Sequence, residues 1–354
     1  MVNFTTSTTS TSYPYTQDNN DTNTFSNDII RELPRIIYYG IIGFVTIITN
    51  GSLVYFIVSR RKLWKLQNAK LCSMSMCGIL FALLFCIPYP LTVLHKTNLL
   101  CFLKHPFRNF FMSCICLHLA LIAIDRAITI IRPLQYSKVV NRKYTFVTLL
   151  IIWIAALFGS FYPILTFRTQ AKAFSQNLCP TSGKAADEFS YTIAFYCIYF
   201  LFPLLIMLIC YGYILVIALR HVKKMNNHDI PNYNPLQNRK NILVAKRFKA
   251  AVPFLIITGT FIALTVPQII CSMISVILAP LSFDVRKSNF SLLIGCLKAS
   301  NYGLRELAFS YPALNPLIYV YFSRDIRNEV TNKFNYSIAF IPRTAITAAS
   351  IKIN

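Results

Sequence analysis

Seven long apolar stretches run through the chain, separated by polar segments. A helix that crosses a hydrocarbon layer of roughly 30 Å needs about 20 residues, and each stretch is at least that long. The pattern therefore predicts an all-α membrane protein, a seven-transmembrane helix bundle. The predicted spans are residues 36–58, 69–94, 101–126, 145–166, 190–219, 246–279 and 291–321.

The polar ends of the chain set the predicted domain organisation. Residues 1–35 are rich in Thr, Ser and Asn, which predicts a disordered extracellular tail before one receptor-sized domain at 36–321. Residues 322–354 are predicted to be a short amphipathic helix, lying flat on the inner membrane surface, and a cytoplasmic tail. Asn3 and Asn20 each begin a glycosylation sequon in the outer tail.

Composition separates this chain from soluble enzymes. Hydrophobic residues make up 55% of it and charged residues only 13%, against about 25% charged in an ordinary soluble domain. The histidines are scattered, and acidic residues are too few for a catalytic pair. We therefore expect neither an enzyme nor a bound cofactor.

The net charge of +23 reflects topology. Roughly 22 of the 35 Lys and Arg residues fall in four alternate polar segments, 59–67, 126–146, 220–249 and 323–354. Excess Lys and Arg marks the cytoplasmic side. With an odd number of spans, the N-terminus is predicted outside the plasma membrane and the C-terminus in the cytosol. Anionic inner-leaflet lipids are the expected partners of this charge, and nucleic acid is not.

The eleven cysteines show no CxxC ladder and no Cys/His metal spacing, so no metal site is expected. Most lie inside apolar runs, where a thiol is usually a small core group. Cys101 and Cys179 lie in predicted outer segments. Because the extracellular side is oxidising, a Cys101–Cys179 disulfide is predicted.

Family landmarks occur in six of the seven spans. In chain order they are Asn50, Asp125-Arg126, Trp153, Pro203 with Tyr211, Phe261 with Pro267, and Asn315-Pro316-Leu317-Ile318-Tyr319. In order and at these separations, they make the chain resemble the rhodopsin-like (class A) G-protein-coupled receptors over about residues 36–335. The resemblance implies a receptor that converts binding of an extracellular ligand into activation of a heterotrimeric G protein.

The inner end of span three carries the predicted switch. Asp125 can neutralise Arg126 at the membrane edge in the resting state. If span six swings outward, Arg126 becomes free to reach Tyr211 and a partner helix.

Spans six and seven carry the predicted moving parts. Pro267 supplies a hinge, and Phe261 repacks when that hinge moves. Asn315 and Tyr319 are polar groups in an apolar span, and Pro316 frees a backbone carbonyl that they or water must satisfy. Such a segment suits a two-state switch.

Four positions depart from the family pattern. Gly78 and Ile115 stand where the family usually binds sodium, so a sodium site is not expected. Thr265 replaces the usual Trp before the span-six proline. Arg247 stands where many relatives carry an acid that pairs with the span-three arginine, which predicts appreciable basal activity.

The outer ends of the spans indicate the ligand. Amine receptors carry an Asp at the position of Arg108, and retinal receptors carry a Lys at that of Phe309. Arg108 either binds an anionic ligand group or pairs internally with Glu306. Lys104, Thr265 and Arg305 complete the predicted ligand pocket. A peptide ligand is favoured, followed by an anionic lipid or a small acid. A non-signalling decoy is the alternative, and a seven-span transporter is less favoured.

Overall fold

The computed structural model describes residues 19–94, 98–132, 135–168, 185–226, 235–278, 288–323 and 326–328. These residues form a bundle of long helices. Span one is Asn19–Ser59, span two is Leu66–Phe81 with Tyr89–Leu94, span three is Asn98–Ile131, span four is Arg142–Pro163, span five is Ala185–Tyr196 with Phe202–Asn226, span six is Pro235–Leu278, and span seven is Ser288–Phe309 with Tyr311–Phe322. Two short elements lie between spans, a 3₁₀ turn at Arg61–Leu63 and a helical turn at Tyr136–Val139.

Within the described residues, six helices are long and apolar enough to cross a membrane, and they correspond to spans one to six. Span seven is divided at Ser310 into two consecutive helices. Its outer half carries Lys298, Arg305 and Glu306, which makes it more polar than the others. The predicted all-α seven-helix bundle is confirmed.

Two helices begin earlier than the hydropathy pattern indicates. Span one starts at Asn19, inside the segment assigned to the outer tail, and span six starts at Pro235. In span one, an ion pair of 2.5 Å between Arg35 and Glu32 joins positions one helical turn apart. Of the predicted amphipathic helix, residues 326–328 form a helical turn, and the remainder past residue 328 lies outside the described residues.

Prolines coincide with irregular turns in the spans. A π-helical turn at Ala82–Cys86 stands just before Pro88, and another at Cys197–Leu201 stands just before Pro203. Proline cannot donate a backbone hydrogen bond and its ring crowds the preceding turn, so the regular ladder is interrupted there.

Span three occupies the centre of the bundle and contacts spans two, four, five and six. Its Phe111 is fully buried and packs edge-to-face on Phe81 of span two, whose ring in turn packs on Phe309 of span seven. The outward faces of the other spans expose large apolar side chains, as lipid requires. Spans four and five meet at Gly159, where a side chain would collide with the ring of Tyr199.

Candidate functional site

Asp125, at the inner end of span three, is the centre of a buried charged cluster. Only 2% of it is exposed, and its two carboxylate oxygens have different partners. Oδ2 binds Arg126 Nη2 at 2.5 Å. Oδ1 accepts from the ammonium of Lys70 in span two and, at 2.9 Å, from the phenol of Tyr136. Burial and the Asp125 carboxylate raise the pKa of Tyr136 to about 12, so the phenol keeps its proton.

Arg126 is held on three sides and is only 4% exposed. Besides Asp125, it donates to Gln67 Oε1 at 2.9 Å, and its Cζ lies 4.6 Å from the ring centroid of Phe254 in span six. Arg126 therefore has two partners besides Asp125, which the sequence pattern did not indicate. The side chain of Arg247 lies outside the described residues.

Phe254 connects Arg126 to the other predicted switch residues. The Tyr211 phenol donates to the Phe254 carbonyl at 3.3 Å and accepts from Thr258 at 3.1 Å, which ties span five to span six. The Phe254 ring also lies 5.4 Å from that of Tyr319, whose phenol donates to Asn68 Oδ1 at 3.1 Å. Spans two, three, five, six and seven are thus joined around one guanidinium.

Deeper in span seven, the proline segment is supported from span one. Asn50 Nδ2 donates to the Pro312 carbonyl at 2.8 Å and to the Thr46 carbonyl at 2.9 Å. Asn315, next to Pro316, is 3% exposed and its carboxamide oxygen has no protein partner. A buried carboxamide oxygen without a hydrogen-bond donor is costly, and this is the segment for which the sequence predicts a two-state switch.

The middle of span six packs against span seven through aromatic contact. Phe261 and Tyr311 have ring centroids 5.0 Å apart in an edge-to-face arrangement. Thr265 is 1% exposed and its hydroxyl has no protein partner. Two residues further on, Pro267 removes a backbone donor from span six, at the position where the sequence predicts a hinge. The polar Thr265 side chain therefore lies inside the bundle.

The position at which the family binds sodium is filled by the chain itself. A side chain added at Gly78 would lie 3.0–3.1 Å from the carboxamide of Asn50, and the apolar Ile115 is 1% exposed. Neither residue offers an oxygen ligand of the kind that hard cations require. The residues present do not fit a sodium ion.

We predict that replacing sodium with an organic cation will leave G-protein activation by this receptor unchanged within about twofold, because no carboxylate at Gly78 links the ion to the switch. The measurement is the rate of nucleotide exchange on the G protein, compared between a sodium salt and the salt of an organic cation at the same concentration, about 0.15 M. A control class A receptor with the usual Asp should respond to the exchange of salts. A strong sodium dependence here would refute the assignment.

At the outer end, Arg108 and Glu306 do not pair among the described residues. Arg108 donates to the neutral carboxamide of Asn109 at 3.3 Å through two nitrogens. The Glu306 carboxylate lies instead 3.6 Å from Arg305 and 3.9 Å from Arg35 of span one. The internal pair that the sequence left open is therefore not formed.

Arg108 lines a small polar cavity between spans three, four and five. Its volume is about 140 Å³, and its walls include Asn109, Tyr191 and Tyr196. Ser160 of span four also lines it, 1% exposed, with a hydroxyl that has no protein partner. Lys104 does not line this cavity, and its ammonium lies over the ring of Tyr89 at 4.1 Å from the centroid. Of the predicted pocket residues, Arg108 therefore lines this cavity, Lys104 packs on Tyr89, and Glu306 lies beside Arg305. The described contacts do not bring them together in one pocket.

The remaining predicted sites fall on residues that the structure does not describe. Cys179 and Asn3 lie outside the described residues, as do the side chains of Cys101 and Asn20. The disulfide and the glycosylation sites therefore stay predictions. Sequence reasoning missed Lys70, Gln67 and Ser160, although a lysine four residues into an apolar helix was a visible signal.

Comparisons with known proteins agree with the fold. The model of the 7 transmembrane receptor (rhodopsin family) matches residues 49–319. Octopamine receptor beta-2R of Chilo suppressalis is 23% identical over 82% of this chain and 77% of its own length. Octopamine receptor beta-1R of Drosophila melanogaster is 26% identical over 86% of this chain and 63% of its own length. The crystal structure of squid rhodopsin matches with a TM-score of 0.66 and 18% identity, covering 85% of both chains.

Proposed function

Because the chain belongs to the rhodopsin family of seven-transmembrane receptors, we propose that it responds to a ligand whose anionic group binds beside Arg108. Family membership makes the chain a multi-pass plasma-membrane receptor that signals through a heterotrimeric G protein, and not an enzyme. Its ligand chemistry, its orientation and the movement of its switch are the points proposed below.

One observation carries the ligand proposal. The Arg108 guanidinium lines a cavity in which its partner is a neutral amide, and within the described residues no carboxylate lies in ion-pair distance. Arginine presents a planar fork of donors that fits a carboxylate or phosphate. Asn109 and the Ser160 hydroxyl can add neutral hydrogen bonds to the same group. An anion in this cavity would therefore satisfy one charge and one unpartnered hydroxyl together.

The names of the relatives favour a different ligand, an amine. A cationic amine needs an acid, and among the acids of the outer half whose side chains the structure describes, Glu306 is less exposed than Glu32. The Glu306 carboxylate already lies beside Arg305 and Arg35, so a further cation would meet like charge. Retinal is disfavoured by Phe309, a 3% exposed side chain that cannot form a Schiff base. We favour a peptide, with its terminal carboxylate at Arg108, over an anionic lipid or a small acid.

We propose that activation moves span six away from span three and frees Arg126. A cavity of about 430 Å³ lies between the inner halves of spans five and six, and Tyr211 and Thr258 line it. The hydrogen bonds described between these helices are those of the Tyr211 phenol, at 3.3 Å to the Phe254 carbonyl and 3.1 Å to Thr258. Space beside the helix and a proline at residue 267 support a hinged movement of the inner half of span six.

The orientation we propose places the N-terminus outside. The cation-rich segments, including 59–67 and 220–249, follow odd-numbered spans, and Lys and Arg accumulate on the cytoplasmic side. The Arg126 cluster then faces the G protein, and Arg108 faces the extracellular ligand. A decoy that binds ligand without signalling would not need the intact buried cluster around Asp125.

A ligand screen tests the proposed chemistry. Purified wild-type receptor and Arg108→Ala would be compared in nucleotide exchange against matched sets of acidic peptides, fatty acids, small acids and amines. We expect an acidic ligand to activate wild type and to lose potency by about 30-fold or more in Arg108→Ala, since a charge-assisted contact of about 2–5 kcal/mol is removed. Arg108→Lys should lose less, because it keeps the charge.

An amine that activates wild type and Arg108→Ala with equal potency would refute the proposal. It would favour an amine ligand, as the names of the octopamine receptors suggest. Equal ligand-free exchange in the two proteins is the check on folding.

A further inference from the structure

Lys70 is a buried cation that the family landmarks do not account for. It lies in the second turn of span two, is 1% exposed, and its ammonium contacts Asp125 Oδ1. Burying an ammonium is strongly unfavourable unless it is paired. Span two contains no other Lys or Arg within Leu66–Phe81, so the charge at this position is an isolated feature of the helix.

We propose that Lys70 is a positioning residue that neutralises Asp125 when Arg126 leaves it, so that activation never exposes an unpaired buried carboxylate. The proposal rests on the release of Arg126 proposed above. The role of Lys70 concerns the free-energy cost of releasing Arg126, and not whether the release occurs.

The different partners of the two carboxylate oxygens support this role. Arg126 binds Oδ2, whereas Lys70 and Tyr136 both bind Oδ1. Arg126 can therefore withdraw without breaking either contact at Oδ1. Its other partners, Gln67 and Phe254, hold the guanidinium. Within the part of the chain that the structure describes, neither of them bonds to Lys70.

The charge balance of the cluster points the same way. In the closed state, two cations share one acid, so the group of Lys70, Asp125 and Arg126 carries one excess positive charge. When Arg126 moves out, a neutral Lys70–Asp125 pair remains behind. Without Lys70, the same movement would leave a buried carboxylate with Tyr136 as its one described donor, which is the costly way to break a buried ion pair.

The opposite role, in which Lys70 holds the closed state as a lock, predicts the opposite sign. Affinity for nucleotide-free G protein reports the closed-to-open equilibrium without any ligand. The experiment measures this affinity in lipid nanodiscs against a panel of G proteins that covers each Gα class. The receptors compared are wild type, Lys70→Met, Lys70→Arg and the exposed-lysine control Lys65→Met. We expect Lys70→Met to bind about tenfold more weakly, with Lys70→Arg close to wild type.

Two further arms separate this role from general loss of structure. In an Asp125→Asn background there is no carboxylate to neutralise, so Lys70→Met should no longer weaken binding. In Lys70→Met alone, opening should bind a proton at Asp125, so its affinity relative to wild type should rise as pH falls from 8 to 6. The groups described as facing Asp125 are Lys70, Arg126, Tyr136 and, from span five, Tyr211.

Three results would each overturn the role of Lys70. Lys70→Met could bind G protein more strongly than wild type, or it could lose as much affinity in the Asp125→Asn background as it does alone. The third is a ratio of Lys70→Met affinity to wild-type affinity that does not change with pH. Wild type that binds no member of the panel would instead overturn the release of Arg126 on which this role rests.

Discussion

Arg126→Ala is expected to abolish G-protein activation while the receptor still reaches the cell surface. The guanidinium is the group around which spans two, three, five, six and seven are joined, and in the proposed mechanism it is the charge that the open state presents to the transducer. Removing a charged partner from a desolvated contact costs about 2–5 kcal/mol, so nucleotide exchange should fall by about 30-fold or more. Exchange on purified receptor and G protein measures the loss.

Arg142→Ala is the matched control, because Arg142 is an exposed arginine on the same side, at the start of span four. It should retain exchange close to wild type. If Arg126→Ala at equal surface expression kept full exchange, Arg126 would be only a membrane-edge cation and the switch assignment would be wrong.

The second large effect is expected from Asp125→Asn, in stability and in signalling together. The substitution leaves Lys70 and Arg126 buried without their acid, and breaking a buried pair in this way costs about 3–5 kcal/mol. For a protein of this size, that corresponds to a fall in Tm of about 4–7 °C. Arg126 also loses the carboxylate that holds it, so ligand-free exchange should rise.

Adding Lys70→Met to Asp125→Asn should recover most of the lost Tm, because an unpaired buried ammonium is replaced by an apolar side chain of similar length. Thermal unfolding of the purified variants can be monitored through the reactivity of the buried cysteine thiols. It would measure the fall in Tm in Asp125→Asn and the recovery of Tm in the double variant. A double variant less stable than Asp125→Asn alone would contradict the charge balance assigned to the cluster.

The spans and the switch landmarks could be predicted because both are local in sequence. Hydrophobic length identifies a helix that crosses lipid, and the family motifs fix where Asp125-Arg126 and Asn315-Pro316 fall along those helices. The start of span one could not be predicted this way, since residues 19–35 are polar and hydropathy assigns them to the tail.

That early start gives Glu306 a partner that the sequence did not indicate. Hydropathy assigns Arg35 to the tail, so the sequence offered Arg108 as a candidate partner of Glu306. In the structure, the helix carries Arg35 to within 3.9 Å of Glu306. Ion pairs between spans depend on the rotation of each helix, which a single sequence does not specify.

The same reason applies to Lys70 and Gln67. Both lie near the inner end of span two, where a polar side chain is ordinarily expected to reach toward water. Their inward orientation follows from packing against span three, and only the three-dimensional arrangement shows that they meet Asp125 and Arg126.

The separation of spans three and six tests the central account most directly. Spin labels would be attached at Ile131 and Val252, which are both exposed near the inner ends of these helices. The other reactive cysteines of the receptor, including the exposed Cys296, would be replaced first. Adding nucleotide-free G protein should lengthen the distance between the labels in the wild-type background and leave it unchanged in Arg126→Ala. A distance that stays the same in both, despite bound G protein, would contradict the opening of this bundle around Arg126.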